Sequence, residues 1–188
     1  MLTSNLRSTG FTLIEMVIVI AIMGILMAIA FPAFSAWIQN GQVRTAADTL
    51  QNEIRYAKVE AARLNRQVVF SLAASVPTDA AIPVPAANSN NWFIQVIPNG
   101  FVGDLATYIQ GGTLANNKIT VTGAASVCFN SMGHLTNTGS PPAGGNCATP
   151  GIVNYDVTSQ KGDHPLRVSV SIGGQVRVCA LDTSKTAC

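Results

Sequence analysis

A single carboxylate lies at the start of a long apolar segment, five residues after a glycine. The stretch from Gly10 to Glu15 reads GFTLIE, and residues 16–43 contain no ionisable side chain. Ionisable groups inside a membrane helix usually have a partner of opposite charge. No basic side chain lies within reach along this segment, but cleavage between Gly10 and Phe11 would create an ammonium group about 6 Å of helix rise from Glu15. If the chain were cut at this bond, Glu15 could therefore pair with the amine of the same chain or of a neighbouring chain.

The same residues also fit the start of a helix. Thr12 and Glu15 match the capping pattern Thr-x-x-Glu, in which each side chain binds a backbone N–H of the first turn. The helix dipole also favours a negative charge in that turn. Helix capping and intermolecular pairing of Glu15 can both hold.

Residue types found in hydrolases and zinc sites occur later in the chain without the spacing that such sites need. Ser131, Asp163 and His164 could supply a hydrolase, but the pattern Gly-x-Ser-x-Gly is absent from the sequence. A phosphate-binding Gly-x-x-x-x-Gly-Lys-Ser/Thr loop is absent as well. The sequence has no Cys-x-x-Cys pair, and His134 and His164 are its two histidines. We therefore predict that the chain is not an enzyme and holds no metal or cofactor.

The apolar segment predicts a membrane-spanning helix over residues 11–34. A helix crosses the hydrocarbon of a bilayer with ~20 apolar residues. The apolar core of a cleaved secretory signal has only ~7–15 and ends at a small-residue cleavage site, which this segment lacks. Arg7 is the one basic residue ahead of the segment, so the positive-inside rule places residues 1–10 in the cytoplasm and everything after the helix outside it.

The helical pattern continues over residues 35–66 but becomes amphipathic. Apolar residues recur at steps of three and four, which predicts one stripe that packs on a sheet of the same chain. We expect bends near Pro32, which lacks a backbone N–H, and near Gly41. The stripe consists of Val43, Ala47, Leu50, Ile54, Ala57, Ala61 and Leu64.

After Arg66 the pattern predicts a β-rich head over residues 67–188. Runs of β-branched and aromatic residues indicate strands, and clusters of Gly, Pro, Ser and Asn indicate the loops between them. Loops are expected over residues 73–91, around Gly111 and Gly112, and from Thr136 to Gly151. The predicted fold class is α+β: a long N-terminal helix packed on an antiparallel β-sheet head. The predicted strands are Gln67–Leu72, Trp92–Ile97, Lys118–Thr122, Ser126–Asn130, Ile152–Val157, Leu166–Ile172 and Gln175–Leu181.

The last two predicted strands allow a prediction of their register. A two-residue turn at Gly173 and Gly174 would put the apolar sets of the two strands on opposite faces. Matching these faces pairs Ile172 with Val176 and requires a three-residue connection with one left-handed residue. Arg177 then lies on the other face, where it is exposed or half exposed.

All four cysteines lie in the head, which the predicted topology places outside the cytoplasm. An even number of cysteines in an oxidising compartment indicates disulfides, and four cysteines allow three pairings. We favour Cys128 with Cys147 and Cys179 with Cys188, because each bridge closes a loop that contains Gly, Pro or Ala. Each bridge would stabilise the head by ~2–4 kcal/mol.

The sequence around Glu15 resembles the class III leader and cleavage site of type IV pilins and type II secretion pseudopilins. The resemblance rests on Gly10, Phe11 and Glu15, and on Pro32 at the position where such helices bend. It implies that a prepilin peptidase cuts after Gly10 and methylates Phe11, at the bacterial inner membrane with the head in the periplasm. It also implies that Glu15 pairs with the amine of an adjacent subunit when the helix leaves the membrane lipid and enters a filament of pilins or pseudopilins.

A narrower resemblance links the head to the GspH/FimT family of minor pilins and pseudopilins. The segments VCFNSMGHL (Val127 to Leu135) and GQVRVC (Gly174 to Cys179), with Trp92 and Cys188, are similar to that family. The resemblance implies a minor pilin that enters or primes a type IV pilus. A minor pseudopilin of a type II secretion system and a DNA-binding subunit at the tip of a pilus are the two alternatives.

The DNA-binding alternative concerns Arg177 and Lys185. DNA-binding members of the family have a glycine followed by two arginines one residue apart, whereas this sequence has Gly174, then Gln175 in place of the first arginine, then Arg177. Residues 66–188 hold six Lys and Arg side chains against five Asp. Attraction to phosphates should therefore be weak and easily screened by salt. Surface solvation is the simpler role for both side chains.

Overall fold

The computed structural model of the chain describes residues 10–101 and 103–181. Over these residues a long helix, α1 (Leu13–Leu64), is followed by a head of β-strands. The strands form two antiparallel sheets, and the second half of α1 packs against both. The predicted α+β architecture, a long N-terminal helix on an antiparallel β head, is confirmed.

Local sequence explains where α1 begins and ends. Thr12 is the N-cap, and its hydroxyl accepts a 3.3 Å hydrogen bond from the backbone N–H of Glu15. At the other end Asn65 adopts a left-handed conformation with φ of 51°, and the N–H of Arg66 donates to the Ala61 carbonyl. Asparagine adopts this conformation more readily than most residues. The helix therefore ends at Leu64, two residues before the predicted boundary at 66.

The two halves of α1 form one continuous helix. The backbone is helical through residue 32 and through Gly41. The side chain of Pro32 lies outside the described part of the chain. The bends that we expect near these two residues stay predictions.

Nine strands follow α1 among the residues that the structure describes. The first sheet has the order β3-β2-β1-β5-β6, and the second has the order β4-β7-β8-β9. Every pair of neighbouring strands is antiparallel. The strands are β1 (Val68–Ala73), β2 (Asn91–Val96), β3 (Thr107–Thr113), β4 (Ile119–Gly123), β5 (Ser126–Phe129), β6 (Leu135–Thr136), β7 (Val153–Ser159), β8 (Leu166–Val170) and β9 (Val176–Ala180).

The core lies between α1 and the two sheets. The predicted stripe from Val43 to Ala61 is buried, and Leu64 packs at its edge. Phe70 lies against Trp92 and Tyr155, with ring centroids 6.0 and 6.3 Å apart. Burial of one large apolar side chain stabilises the fold by ~1.5–3 kcal/mol, so this stripe anchors the helix to the head.

Two strands were not predicted from the sequence: β3, because it contains two glycines, and β6, because it is only two residues long. Gly111 and Gly112 lie within β3, not in a loop as predicted. A Cβ on Gly111 would come within 2.7 Å of the Trp92 carbonyl oxygen and 2.6 Å of the Pro77 ring. Glycine in a strand often marks such a close approach. The other missed strand, β6, has two residues and includes Thr136, which was predicted to begin a loop.

The hairpin between β8 and β9 has the predicted loop length but a different register. Val170 pairs with Val176, whereas Ile172 was predicted to do so. The three connecting residues are Ile172 to Gly174, and Gly174 is the left-handed residue, with φ of 70°. A shift of two residues keeps each side chain on its predicted face, so Arg177 is exposed as expected. Ile172 lies in the turn and is exposed because it is no longer part of the strand.

Candidate functional site

The first half of α1 exposes its apolar side chains on all sides. The exposed fraction is 82% for Leu13, 72% for Ile29 and 70% for Trp37. Along the described part of the helix the first buried side chain is that of Gln39. By length and composition the helix could cross a membrane. An exposed apolar surface of this kind marks contact with lipid or with other proteins.

Glu15 lies close to the start of this apolar surface. Gly10, Phe11 and Glu15 are all exposed, so the predicted cleavage bond and the carboxylate lie at the same accessible end of α1. In the described part of the chain no cationic group lies within 4.0 Å of the Glu15 carboxylate. The carboxylate is therefore accessible to a group from another molecule. Cleavage after Gly10 and the ion pair of Glu15 stay predictions.

Two sequence matches cover the two halves of this architecture. Residues 5–31, which include the cleavage bond and Glu15, match the prokaryotic N-terminal methylation motif. Residues 46–174 match the family described as type II transport protein GspH. The chain belongs to the GspH family. This membership confirms the resemblance to minor pilins and pseudopilins.

One relative is similar over a short segment of the chain, and one solved structure shares its fold. A fimbrial protein of Moraxella nonliquefaciens is 56% identical over 48 residues, which are 24% of this chain and 31% of that protein. The chain therefore spans less than a third of the length of that relative. The type IV minor pilin FimU of Pseudomonas aeruginosa has the same fold, with a TM-score of 0.51 and 15% identity over 76% of this chain and 91% of FimU.

A further solved structure of lower similarity is a minor pseudopilin. EpsH, from the type 2 secretion system of Vibrio cholerae, gives a TM-score of 0.47 at 13% identity. The aligned region covers 74% of this chain and 97% of EpsH.

Asn40 fastens α1 to the head just beyond the exposed half of the helix. Its amide oxygen accepts hydrogen bonds from the N–H groups of Asp163 and His164 at 3.1 and 3.2 Å, and its amide nitrogen donates to Oδ1 of Asp163 at 2.7 Å. Nδ1 of His164 lies 2.6 Å from the same carboxylate oxygen. The hydrogen bonds from Asn40 and His164 lower the pKa of Asp163. Asp163 and His164, considered above as hydrolase residue types, therefore join the helix to the loop after β7.

Several polar contacts that position α1 were not predicted from the sequence. Glu60 is buried although it lies off the apolar stripe, and its hydrogen bonds with Arg63 lower its pKa. The pattern Glu-x-x-Arg is a detectable signal, because residues three apart on a helix are neighbours. Arg66 binds Asp104 from a distant loop, and such a contact has no local signal in the sequence.

One of the two predicted disulfides is present in the described part of the head. Cys128 and Cys147 are bonded, with Cα atoms 5.4 Å apart, and they pack against Val69 and Ile97. This pairing is confirmed. Cys179 is also disulfide-bonded, but its predicted partner Cys188 lies outside the described residues, so that pairing stays a prediction.

Of the two residues of the DNA-binding hypothesis, Arg177 and Lys185, the structure describes Arg177. Arg177 is exposed on β9, and its Nη2 donates to Oε1 of Gln175 at 3.4 Å. Lys185 lies outside the described residues. His134 is exposed at the turn before β6. Over residues 10–101 and 103–181, no cluster of three or more His, Cys, Asp or Glu side chains could hold a metal ion.

Proposed function

We propose that the chain is a minor pilin of a type IV pilus, held in the bacterial inner membrane by α1 with its head in the periplasm. The division of α1 carries this proposal: its first half is apolar and exposed, and its second half buries one apolar face against its own head. A helix that is apolar on all sides needs lipid or similar helices around it. The methylation motif and the GspH family support the same function.

Processing prepares α1 for assembly. A prepilin peptidase hydrolyses the bond between Gly10 and Phe11, which leaves a carboxylate on the leader and an ammonium group on Phe11. The exposure of both residues at the start of α1 is consistent with access by this enzyme. Methylation of the new amine follows from the family motif.

Glu15 then sets the position of the subunit along the filament. Lipid tails are as apolar as the helix, so transfer from the bilayer to a bundle of helices gains little from hydrophobic burial alone. An ion pair is much stronger in this medium than in water. Pairing of Glu15 with the Phe11 amine of a neighbour therefore favours one axial register among many that are equally apolar.

A minor pseudopilin of a type II secretion system is the second candidate. The observation in its favour is the description of the matching family, type II transport protein GspH. The helix and the processing site would work in the same way in both assemblies. Only the assembly that contains the chain distinguishes the two functions.

Mass spectrometry of pili sheared from the producing bacterium tests the proposal. We expect the chain in the sheared pili, beginning with a methylated Phe11. Deletion of its gene should reduce piliation and leave type II secretion of enzymes into the medium unchanged. Normal piliation with lost secretion would support the pseudopilin instead, and a mature protein that begins at Met1 would contradict both.

A further inference from the structure

Three cationic side chains surround one surface cavity between α1 and the β8–β9 turn. The cavity has a volume of about 500 Å³, and Arg55, Lys58 and Arg177 line it. Arg55 and Lys58 are three residues apart and so lie on the same face of α1. Arg177 reaches the cavity from β9. Two elements that are distant in sequence therefore place three positive charges around one concave surface.

Each of these cations is held by neutral groups. Arg55 donates to the Val176 carbonyl at 2.9 Å, and Lys58 donates to the Gly173 carbonyl at 3.3 Å. Arg177 is oriented by the side-chain oxygen of Gln175.

Acidic partners are missing around these three cations among the described residues. Over residues 10–101 and 103–181, no carboxylate lies within 4.0 Å of Arg55, Lys58 or Arg177. By contrast, Arg66 and Arg167 lie within 2.7 Å of Asp104 and Asp156, respectively. Positive charges gathered in a cleft focus the potential and attract anions.

Two tight turns pack against Lys58 at the edge of the cavity. Gly133 and Gly174 both have positive φ, and the aliphatic stem of Lys58 packs against both of them. A Cβ on Gly174 would collide with the Gly133 carbonyl oxygen. The two turns therefore touch, and they hold the ammonium group of Lys58 at the cavity.

The lining favours a protein partner over nucleic acid. Val59 contributes an apolar surface that is 58% exposed, and no aromatic ring that could stack on a base is among the described residues around the cavity. Tight binding to nucleic acid needs many phosphate contacts along a groove, whereas the residues that the structure describes bring three cations to this site. An aspartate or glutamate side chain presents a carboxylate with an apolar stem, which matches the cations and Val59.

We propose that this cavity binds an acidic side chain of a neighbouring subunit in the assembled filament. The inference rests on the proposed function, because it needs a neighbour in the filament. It adds a contact between heads to the contact between helices. The charge of Arg177 makes this contact selective for subunits that carry an acid at the matching height.

A photo-crosslinking amino acid in place of Val59 tests the proposal in the full-length protein in its host. We expect a crosslink to another filament subunit, at a peptide that contains Asp or Glu. Arg177→Glu should lower the crosslink yield at least about tenfold, because like charges then face each other. Changing the identified acid to Arg in the partner should restore the yield.

Lys161→Glu is the matched control, because it makes the same change of charge at an exposed residue that does not line the cavity. Its crosslink yield should equal that of the unchanged protein. Equal yields for Arg177→Glu and Lys161→Glu, a missing crosslink in filaments that contain the chain, or a crosslink to nucleic acid would overturn the inference. If the unchanged chain is absent from filaments, the proposed function fails together with the inference.

Discussion

Nη2 of Arg66 lies 2.7 Å from the Asp104 carboxylate and joins the end of α1 to the loop between β2 and β3. The same carboxylate accepts a 2.7 Å hydrogen bond from the N–H of Asn99. Asp104→Asn keeps the shape of the side chain and removes its charge, so we expect the head to unfold at lower urea concentration. Unfolding of the full chain in detergent can be followed by the fluorescence of Trp92, which is buried.

The control for this change is Asp48→Asn. Asp48 is exposed and lies 4.0 Å from Arg44, and exposed pairs of this kind contribute little. Its urea midpoint should stay within error of the unchanged protein. An equal decrease of the urea midpoint in both variants would show that the contact between Arg66 and Asp104 stabilises the head no more than an exposed pair does.

The stability that Asp104 provides should depend on pH in a defined direction. The hydrogen bond from Asn99, followed by that from Arg66, lowers the pKa of Asp104 in the folded state. Because the pKa is lower in the folded state, ionised Asp104 stabilises the fold at pH values above its unfolded-state pKa. This stabilisation is lost as the pH falls through its folded-state pKa. Urea midpoints of the unchanged protein and Asp104→Asn should therefore differ most near neutral pH and converge in acid. A constant difference at all pH values would contradict this assignment.

Removal of the disulfide between Cys128 and Cys147 should destabilise the head. The bridge closes a loop with a sequence separation of 19 residues. We expect Cys128→Ala with Cys147→Ala to lower the free energy of unfolding by ~2–4 kcal/mol. Urea unfolding of the double variant measures the loss. Reduction of the unchanged protein also breaks the disulfide of Cys179, so it should cost at least as much as the double variant. A loss well below 1 kcal/mol in the double variant would count against a structural role.

Tyr155→Phe should leave the head as stable as before or make it more stable. The ring of Tyr155 is fully buried, and its hydroxyl has no hydrogen-bond partner among the described residues. Burial raises the pKa of this hydroxyl far above its ordinary value. An unsatisfied buried hydroxyl costs ~1–3 kcal/mol, which phenylalanine avoids while it keeps the ring packing. Tyr155→Ala, which removes the ring, should cost ~3–5 kcal/mol. Destabilisation by Tyr155→Phe in urea unfolding would reveal a hydrogen bond to this hydroxyl.

Gly174 and Gly173 should respond differently to the same substitution. Gly174 has φ of 70° and touches Gly133, whereas a Cβ on Gly173 would meet open space. We expect Gly174→Ala to cost at least ~1–2 kcal/mol, because a Cβ is strained in this conformation and collides with the other turn. Gly173→Ala should change stability by less than ~0.5 kcal/mol. Similar urea midpoints for the two variants would contradict the turn geometry.

The elements that were predicted correctly are those that the local residue pattern determines. The stripe from Val43 to Ala61 has helical spacing and is buried, and strands such as β5 and β9 are rich in residues that prefer strands. The failures come from long-range packing. Gly111 was assigned to a loop, but it pairs with Phe93 in the ladder between β2 and β3, and Pro77 and the Trp92 carbonyl leave no room for a Cβ there.

The register of the last hairpin shows the limit of matching apolar faces. A register that pairs Ile172 with Val176 and one that pairs Val170 with Val176 put the same side chains on the same face. Matching alone cannot separate the two. The turn decides, because Gly174 can adopt the left-handed conformation at the last of the three connecting residues.

The candidate functional residues also fall into two groups, those that local sequence predicts and those that it does not. Glu15 and the cleavage bond follow from an isolated charge next to an apolar helix. The cavity of Arg55, Lys58 and Arg177 could not be predicted, because folding brings β9 against a helix more than a hundred residues earlier in the chain. Asn40 could not be predicted either, since its partners Asp163 and His164 are equally distant.

Incorporation of a Glu15→Val variant into filaments is the sharpest test of the pairing between Glu15 and the Phe11 amine. The amount of the chain in sheared filaments, relative to the membrane fraction, is determined by quantitative mass spectrometry. We predict normal membrane insertion and cleavage but a drop in incorporation of at least about tenfold, which corresponds to ~1.4 kcal/mol. Glu15→Asp, which keeps the charge, should retain more incorporation than Glu15→Val. Incorporation of Glu15→Val at the level of the unchanged protein would contradict the pairing.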